Sequence, residues 1–180
     1  ESPFDVFERL VGLGCDHHTL ASGEILGAVV SQKLLKKICP DCSHSIHTAP
    51  HISEKQMIAI EQICGMGLGH RVGQLRFRNT TPTRPCNNPR CRNGLIGRQL
   101  IAECVNITPE IMQPLATGNK LESKRLWLED NNFTKFDCAL AALMIGLVDC
   151  EDVIDEIGNI NTTHNMRTDM KIAHPEVVYA

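Results

Sequence analysis

The sequence has 180 residues, of which 42% are apolar and 22% are charged, and it carries a formal net charge of −3. These values are typical of an ordinary globular chain. Within these 180 residues, no apolar run approaches the roughly 18 residues of a membrane-spanning helix, and no apolar core of a signal peptide occurs. Because residue 1 is Glu rather than Met, we expect a fragment or a processed piece of a longer protein.

The charge is distributed unevenly along the chain. Residues 31–100 contain 11 Lys and Arg residues against three Asp and Glu residues, a net charge of +8, so the remainder carries −11. A basic middle could contact nucleic acid, lipid headgroups or an acidic partner. Alternatively, the basic and acidic parts face one another, either within one chain or between copies of it.

Two helices are predicted before residue 39. Ser2 and Pro3 are typical of an N-cap and a first helical position, and apolar residues follow at helical spacing until Gly12. After a turn, a longer helix is predicted from Ile25 to Ile38, because its apolar residues also recur at helical spacing. Three lysines favour the C-terminal end of that helix, and Pro40 would stop it.

The middle of the chain is predicted to contain one helix and two short strands. Ser53 to Gln56 form a capping-box pattern, which opens a short helix that Gly65 closes. Several glycines then indicate a flexible loop. Residues 75–78 and 98–105 are predicted to be strands, and we expect these two strands to pair in a small sheet.

Four short helices are predicted in the C-terminal part. One begins at Thr108, two are predicted over residues 121–128 and 133–147, and Asp149 caps the last of them. Four helices with such breaks between them predict a compact bundle. Residues 159–180 show no clear period, and we expect a loosely ordered tail.

Four cysteines occur in two closely spaced pairs. Cys39 and Cys42 form a CxxC pair, and Cys86 and Cys91 form a CxxxxC pair. A tight turn points two thiolates at a common centre, and two such turns make the tetrahedral site that structural zinc prefers. Because four protein ligands leave no position for a catalytic water, this zinc would have a structural role. The segment between the pairs would be a flap that the metal closes.

The total of nine cysteines is odd, and they are spread over the whole chain. This favours a reducing compartment with metal-bound or buried free thiols over a disulfide framework, which stays the alternative. His44 and His47 follow Cys42 and could also compete as ligands. That arrangement would leave Cys86 and Cys91 without a role.

The other cysteines have simpler interpretations. Cys64, Cys104 and Cys138 fall on apolar faces of predicted elements and are expected in the core. Cys15 and Cys150 lie near predicted helix ends and are not assigned a role.

Two further groups of residues are predicted to be solvated. Adjacent residues seldom bind one ion together, so His17 and His18 are interpreted as part of a solvated turn. The acidic residues between Asp149 and Glu156 lack the ligand pattern of a calcium loop and are predicted to form a solvated helix face. Seven arginines flank the predicted metal site and could dock a partner or form a solvated rim. They are Arg71, Arg76, Arg78, Arg84, Arg90, Arg92 and Arg98.

The order of these motifs resembles the segment that follows the histidine box in the ATPases of type IV pilus assembly and type II secretion. In that family, a helix ending in Arg-Leu-x-x-Leu-Gly precedes a long helix that ends in a leucine-rich run of the Gln-Arg-Leu type and Cys-Pro-x-Cys. A Gly-Tyr-x-Gly-Arg turn follows the second cysteine pair. The resemblance extends over residues 2–158. The matching motifs are Arg9-Leu10-Val11-Gly12-Leu13-Gly14, Gln32-Lys33-Leu34-Leu35-Lys36-Lys37-Ile38-Cys39-Pro40-Asp41-Cys42, Asn93-Gly94-Leu95-Ile96-Gly97-Arg98, Glu103, Ile107-Thr108-Pro109-Glu110, Gly146-Leu147 and the acidic helix Glu151 to Ile157.

Three departures from the family pattern indicate a divergent branch. The family usually closes its second pair as CxxC, whereas Cys86 and Cys91 form a wider turn that could still hold zinc. Lys33 replaces the usual Arg, and Gln99 stands where the family has a small or hydroxyl residue.

The resemblance implies a mainly α fold with a small β element, of the α+β class. It implies the helical C-terminal lobe of a RecA-like ATPase, a tetracysteine zinc-binding subdomain and a C-terminal helical bundle. The C-terminal helices of the ATPase core are expected at residues 1–38 and the zinc-binding subdomain with short strands at 39–106. The helical bundle is expected at 107–158 and a tail at 159–180.

The resemblance also implies a working context for the parent protein. That protein would be a cytoplasmic homohexamer, peripheral to the bacterial inner membrane, which docks on a platform protein and powers pilus assembly or secretion. The sequence contains no GxxxxGKS or GxxxxGKT, so ATP and Mg²⁺ would bind only in the full-length parent. No catalytic or cofactor-binding residue is assigned to this chain, and we expect no ATP hydrolysis by it alone.

Two other functions remain open at this point. The basic middle segment would suit a zinc-containing module that binds nucleic acid, although aromatic residues make up only 4% of the chain and its net charge is negative. A nucleic-acid partner is therefore not expected. The other alternative is a zinc-stabilised adaptor without motor activity.

Overall fold

The computed structural model describes residues 2–22, 25–80 and 86–174. It confirms a mixed α+β fold, with about 47% helix and 17% strand. The helices are α1 (Val6–Gly12), α2 (His17–Ala21), α3 (Glu54–Gly65), α4 (Pro109–Ala116), α5 (Lys120–Glu129), α6 (Lys135–Met144), α7 (Cys150–Ile157) and α8 (Thr162–Met170). The strands are β1 (Ala28–Ile38), β2 (His44–Ser45), β3 (Arg76–Phe77) and β4 (Leu95–Asn106).

The described residues divide into two compact units. The first unit takes the residues up to Gln32, those from Ala102 to Lys135, and those from Met166 to residue 174. The second unit takes Lys33 to Ile101 and Phe136 to Asn165, and it contains the four paired cysteines. Helices α4 and α5 therefore belong to the first unit, and α7 belongs to the second.

The first unit begins as the sequence predicts. Ser2 caps a short 3₁₀ turn, Pro3–Asp5, in which the side chains of Ser2 and Asp5 form a capping box, and α1 follows directly. The ring of Phe4 packs edge-on against Trp127 with centroids 5.8 Å apart. Trp127 is itself buried, so α5 and the N-terminal turn share one apolar core.

The prediction of a helix from Ile25 to Ile38 is wrong, because this segment contains the strand β1. Its neighbouring leucines show the alternation of a strand: Leu34 is 49% exposed and Leu35 is completely buried. The segment also contains the β-branched pair Val29-Val30, which favours an extended backbone. The helical spacing was misleading because hydrogen bonding to β4, far along the chain, decides the conformation.

Strand β1 pairs with β4 and β2 pairs with β3. The predicted pairing of residues 75–78 with 98–105 is therefore wrong. In the short pair of β2 and β3, His44 faces Phe77 and Ser45 faces Arg76 in antiparallel register. β4 has twelve residues, and the eleven-residue β1 offers it a far longer hydrogen-bonding edge than β3 with two. The longer pairing edge of β1 thus favours it as the partner of β4.

The C-terminal helices agree with the predicted starts, but the tail does not. Helix α4 begins at Pro109, and Asp149 caps α7 by accepting a hydrogen bond from the backbone N–H of Glu151. The predicted loose tail contains α8, whose Arg167 is fully buried and donates from Nη2 to the carbonyl of Asn132 at 2.7 Å. Few apolar residues mark this helix, so periodicity did not detect it.

The carboxylate of Asp149 joins three segments of the second unit. Its Oδ1 accepts hydrogen bonds from Gln56 Nε2 and the backbone N–H of Glu151, each at 3.0 Å, and its Oδ2 accepts from the backbone N–H of Arg78 at 2.6 Å. Asp149 is only 3% exposed. The prediction of a solvated acidic face is therefore wrong for this residue, which instead joins α3, the end of β3 and α7.

Replacing Asp149 with Ala is expected to lower the free energy of unfolding by about 2–4 kcal/mol, because the donors of Gln56 and Arg78 would lose their buried acceptor. Chemical denaturation followed by circular dichroism measures this change. The control is Asp130→Ala at the exposed end of α5, which should change stability by about 0.5 kcal/mol or less. Equal losses in the two variants would contradict the role of Asp149.

Candidate metal centre

The four paired cysteines lie in two turns of the second unit. Cys39 directly follows β1, and its turn is closed by a hydrogen bond from the N–H of Ser43 to the carbonyl of Cys39 at 3.0 Å. The second turn, before β4, is closed by a hydrogen bond from the N–H of Cys91 to the carbonyl of Asn88 at 3.0 Å. Each turn is local, which is why sequence spacing could predict it.

Two hydrogen bonds bring these turns together. The N–H of Cys39 donates to the carbonyl of Gly94 at 2.8 Å, and Asn88 Nδ2 donates to the carboxylate of Asp41 at 3.0 Å. Gly94 has a positive φ of 78°, and a Cβ there would approach the carbonyl oxygen of Asn79 to 2.3 Å. Only glycine permits this close approach of residue 94 to the segment that follows β3.

The four sulfur atoms converge on one centre. The Sγ atoms of Cys39, Cys42, Cys86 and Cys91 all lie within 4.8 Å of one another. The Cys39–Cys86 and Cys42–Cys91 sulfur pairs are each 3.7 Å apart. A tetrahedral site with metal–sulfur bonds of about 2.3 Å has sulfur–sulfur edges of about 3.8 Å. The cluster can therefore hold a metal ion, and its size is compatible with zinc.

Burial makes this cluster unfavourable for free thiolates. Cys39 is completely buried and the other three cysteines are half-buried. Burial raises the pKa of the Cys42 thiol far above its usual value, and hydrogen bonds with the other three thiols raise it further. A bound cation would reverse this effect, since a thiol that coordinates a metal releases its proton to solvent and binds as a thiolate.

The alternative histidine ligands do not join this group. His44 lies in β2 opposite Phe77, and His47 is exposed. Within the described ranges, the four cysteines form the single group of three or more metal-ligating side chains that converge closely enough to bind one ion. A metal site that includes His44 or His47 is therefore not formed.

The remaining cysteines and the adjacent histidines lie elsewhere. The core prediction is wrong for Cys64 and Cys104, which are exposed, while Cys138 is half-buried. The extended backbone of β4 turns Cys104 to the face opposite the buried Val105. His17 and His18 are exposed as predicted, although they form the start of α2 rather than a turn.

Three of the basic residues in the middle segment pair with acids of α7. Lys36 Nζ lies 2.8 Å from Asp152 Oδ1, Lys33 Nζ lies 3.7 Å from Glu156 Oε2, and Lys55 bonds to Asp155. Part of the charge asymmetry is thus neutralised within the chain. This outcome agrees with the interpretation that the basic and acidic parts face one another.

The flanking arginines differ in their surroundings. Arg92 Nη1 donates to the carbonyls of Pro89 and Cys91, at 3.1 and 3.0 Å, and Arg78 Nε donates to the carbonyl of Asn93 at 2.9 Å. These two side chains therefore stabilise the second cysteine turn through hydrogen bonds to its backbone. Arg84 lies outside the described residues.

The sequence interpretation missed one feature of the second unit. Asp152 was assigned to a solvated helix face, but it is only 8% exposed and lines a cavity together with Lys36 and Gln56. Asp152 lies three residues after the cap of α7, on the side that faces α3 and β1. Its burial can be recognised only when these partner elements are known.

The sequence matches a known protein family over most of its length. Residues 1–155 match the model of a family described as Type II/IV secretion system protein. No curated protein matches the chain. In the part of the chain that the structure describes, no helix has the length and apolar character needed to cross a membrane.

The exposure of each cysteine predicts which thiols a reagent modifies first. Cys15, Cys64 and Cys104 are exposed, so at pH 8 a thiol reagent should modify three thiols in a fast phase. Cys150 should remain unmodified, because burial raises the pKa of its thiol to about 12. Replacing the three exposed cysteines with serine should remove the fast phase. A fast phase of unchanged amplitude in that variant would contradict the assignment.

Proposed function

Because the chain belongs to the type II/IV secretion system protein family, we propose that it is the C-terminal, zinc-stabilised part of a hexameric cytoplasmic ATPase that powers type IV pilus assembly or type II secretion. The observation that carries this proposal is the family match, which extends over residues 1–155. The four converging cysteines add independent support, since they lie where the resemblance expects a metal-binding subdomain.

Zinc is the proposed metal, with Cys39, Cys42, Cys86 and Cys91 as its ligands. The spacing of the sulfur atoms suits a tetrahedral ion with thiolate ligands, and four such ligands are the donor set of structural zinc. Binding of structural zinc supplies about 10 kcal/mol or more. That is comparable to the whole stability of a domain, roughly 5–15 kcal/mol. The metal would therefore decide whether residues 39–94 keep a single conformation.

The other parts of the chain receive roles from the family. Residues 1–38 would complete the ATPase core, residues 39–106 would form the zinc-binding subdomain, and residues 107–158 would form the C-terminal helical part. ATP and Mg²⁺ would bind in the parent protein, which would assemble as a homohexamer and dock on an inner-membrane platform protein. The chain would contribute structure and subunit contacts, without hydrolysing ATP alone.

The ion pairs of α7 argue against a nucleic-acid partner. Lys33, Lys36 and Lys55 already pair with carboxylates of this helix. A phosphate backbone would have to compete with these neighbours for the same cations. The charge distribution therefore favours the motor interpretation over a nucleic-acid-binding module.

Elemental analysis tests the metal. Protein purified without chelators should contain about one zinc per chain, as one tetrahedral site requires. Cys86→Ser should lose most of this zinc, because three ligands remain. The matched control is Cys104→Ser, which changes an exposed thiol of β4 and should retain the metal. Wild-type protein without zinc, or equal zinc in both variants, would show that the cluster is not a zinc site.

A second experiment tests the motor. The gene upstream of the codon for Glu1 should encode a phosphate-binding loop of the GxxxxGKS or GxxxxGKT type and a pair of histidines. The full encoded protein should hydrolyse ATP, and replacement of the loop lysine should abolish that activity. An upstream sequence without this loop would rule out the ATPase, while leaving the zinc site untouched.

A further inference from the structure

The turn between the second cysteine pair and β4 has a defined conformation. Asn93 and Gly94 both have positive φ, at 50° and 78°. The flanking residues exchange two backbone hydrogen bonds: the N–H of Leu95 donates to the carbonyl of Arg92 at 3.0 Å, and the N–H of Arg92 donates to the carbonyl of Leu95 at 2.8 Å. Positive φ at both central residues is typical of a type I′ turn, in which Asn-Gly is a preferred pair. The turn therefore holds its two central carbonyls in fixed directions.

Each of these two carbonyls accepts a hydrogen bond from another segment. The carbonyl of Gly94 accepts from the N–H of Cys39 at 2.8 Å, and the carbonyl of Asn93 accepts from Arg78 Nε at 2.9 Å. Cys91 lies only two residues before Asn93 in the sequence. The turn thus links the first cysteine pair to the second, and Arg78 holds this turn from a third segment.

Arg78 is itself fixed by its surroundings. It directly follows the buried Phe77, and its backbone N–H donates to Asp149 Oδ2 at 2.6 Å. Its aliphatic stem lies against the turn, since a Cβ at Gly94 would approach Arg78 Cγ to 3.1 Å. The contacts therefore continue from the cap of α7 through Arg78 and the turn to the N–H of Cys39.

We propose that Arg78 is a positioning residue for the metal centre. Its guanidinium fixes the Asn93-Gly94 turn, and the turn fixes the position of Cys39 relative to the second cysteine pair. The inference rests on the zinc site of the proposed function. Loss of a group that holds metal ligands in place typically lowers metal affinity by about 10- to 100-fold.

An effect of charge has to be separated from this role. Four thiolates and one Zn²⁺ carry a net negative charge, so any nearby cation would also stabilise the loaded site. Glutamine at position 78 would place its amide nitrogen as many bonds from the backbone as Nε of arginine, which keeps a donor without the charge. Methionine has a stem of the same length with neither donor nor charge. Lysine keeps the charge but places its donors one bond farther out.

The test is the affinity of the whole chain for zinc, measured by competition with a chromophoric chelator under reducing conditions. Arg78→Met should weaken zinc binding about tenfold, since the turn loses a hydrogen bond from a charged donor. Arg78→Gln should stay within about threefold of wild type, because a neutral donor remains. Arg78→Lys should bind zinc more weakly than Arg78→Gln. The control Arg98→Met, at an exposed residue of β4 in the same unit, should leave the affinity unchanged.

Hydrogen exchange gives a local readout in the zinc-loaded chain. The amide of Cys39 donates to the carbonyl of Gly94, so its exchange in Arg78→Met should be about tenfold faster than in wild type. The neighbouring amide of Ile38 donates to the carbonyl of Leu147 at 2.9 Å and should be unchanged. A general loss of stability would accelerate the exchange of both amides.

Wild-type zinc affinity in Arg78→Met overturns the inference and leaves the zinc site intact. Wild-type affinity in Arg78→Lys together with a loss in Arg78→Gln would assign the effect to charge, which also overturns it. Equal acceleration of the Cys39 and Ile38 amides would contradict a positioning role. If Arg78→Met does not fold with zinc, the relative affinities of Arg78→Gln and Arg78→Lys decide. Absence of zinc from wild-type protein overturns the proposed metal itself, together with this inference.

Discussion

The convergence of four sulfur atoms is the constraint on which the second unit depends. The hydrogen bond from Cys39 to the carbonyl of Gly94 brings the end of β1 next to the start of β4. The segment between these two strands therefore begins and ends at neighbouring points of the structure. The intervening segment also buries Ile63 of α3 and Phe77 of β3 in the apolar core of this unit, so the two cysteine turns and this core together fix its position.

Charge complementarity around α7 is the second organising contact. The acids of this helix were expected to face solvent, yet Asp149 and Asp152 are buried and each bonds to another element. Asp149 is fully satisfied, because backbone and amide donors surround it. Asp152 is satisfied on one oxygen alone. These two carboxylates of the same helical turn thus differ in their contacts: Asp149 joins three segments, and Asp152 lies beside a cavity.

Residues with local signals were predicted well. The caps at Ser2, Ser53 and Asp149 and the start of α4 after Thr108 agree with the structure. The errors lie where two segments distant in sequence meet. β1 was predicted as a helix, β3 was paired with the wrong strand, and the buried Arg167 of α8 carried no recognisable pattern.

The sequence by itself determined the two cysteine turns, because a turn of four or six residues needs only its own backbone to direct two thiols towards one point. The order of the motifs along the chain likewise determined the family. Tertiary structure alone decided that β1 is extended and that Asp152 is buried beside a cavity, and the meeting of the two turns, which their spacing predicts, also depends on it. In each of these cases the deciding hydrogen bond or ion pair comes from a partner many residues away. Periodicity within one segment holds no information about that partner.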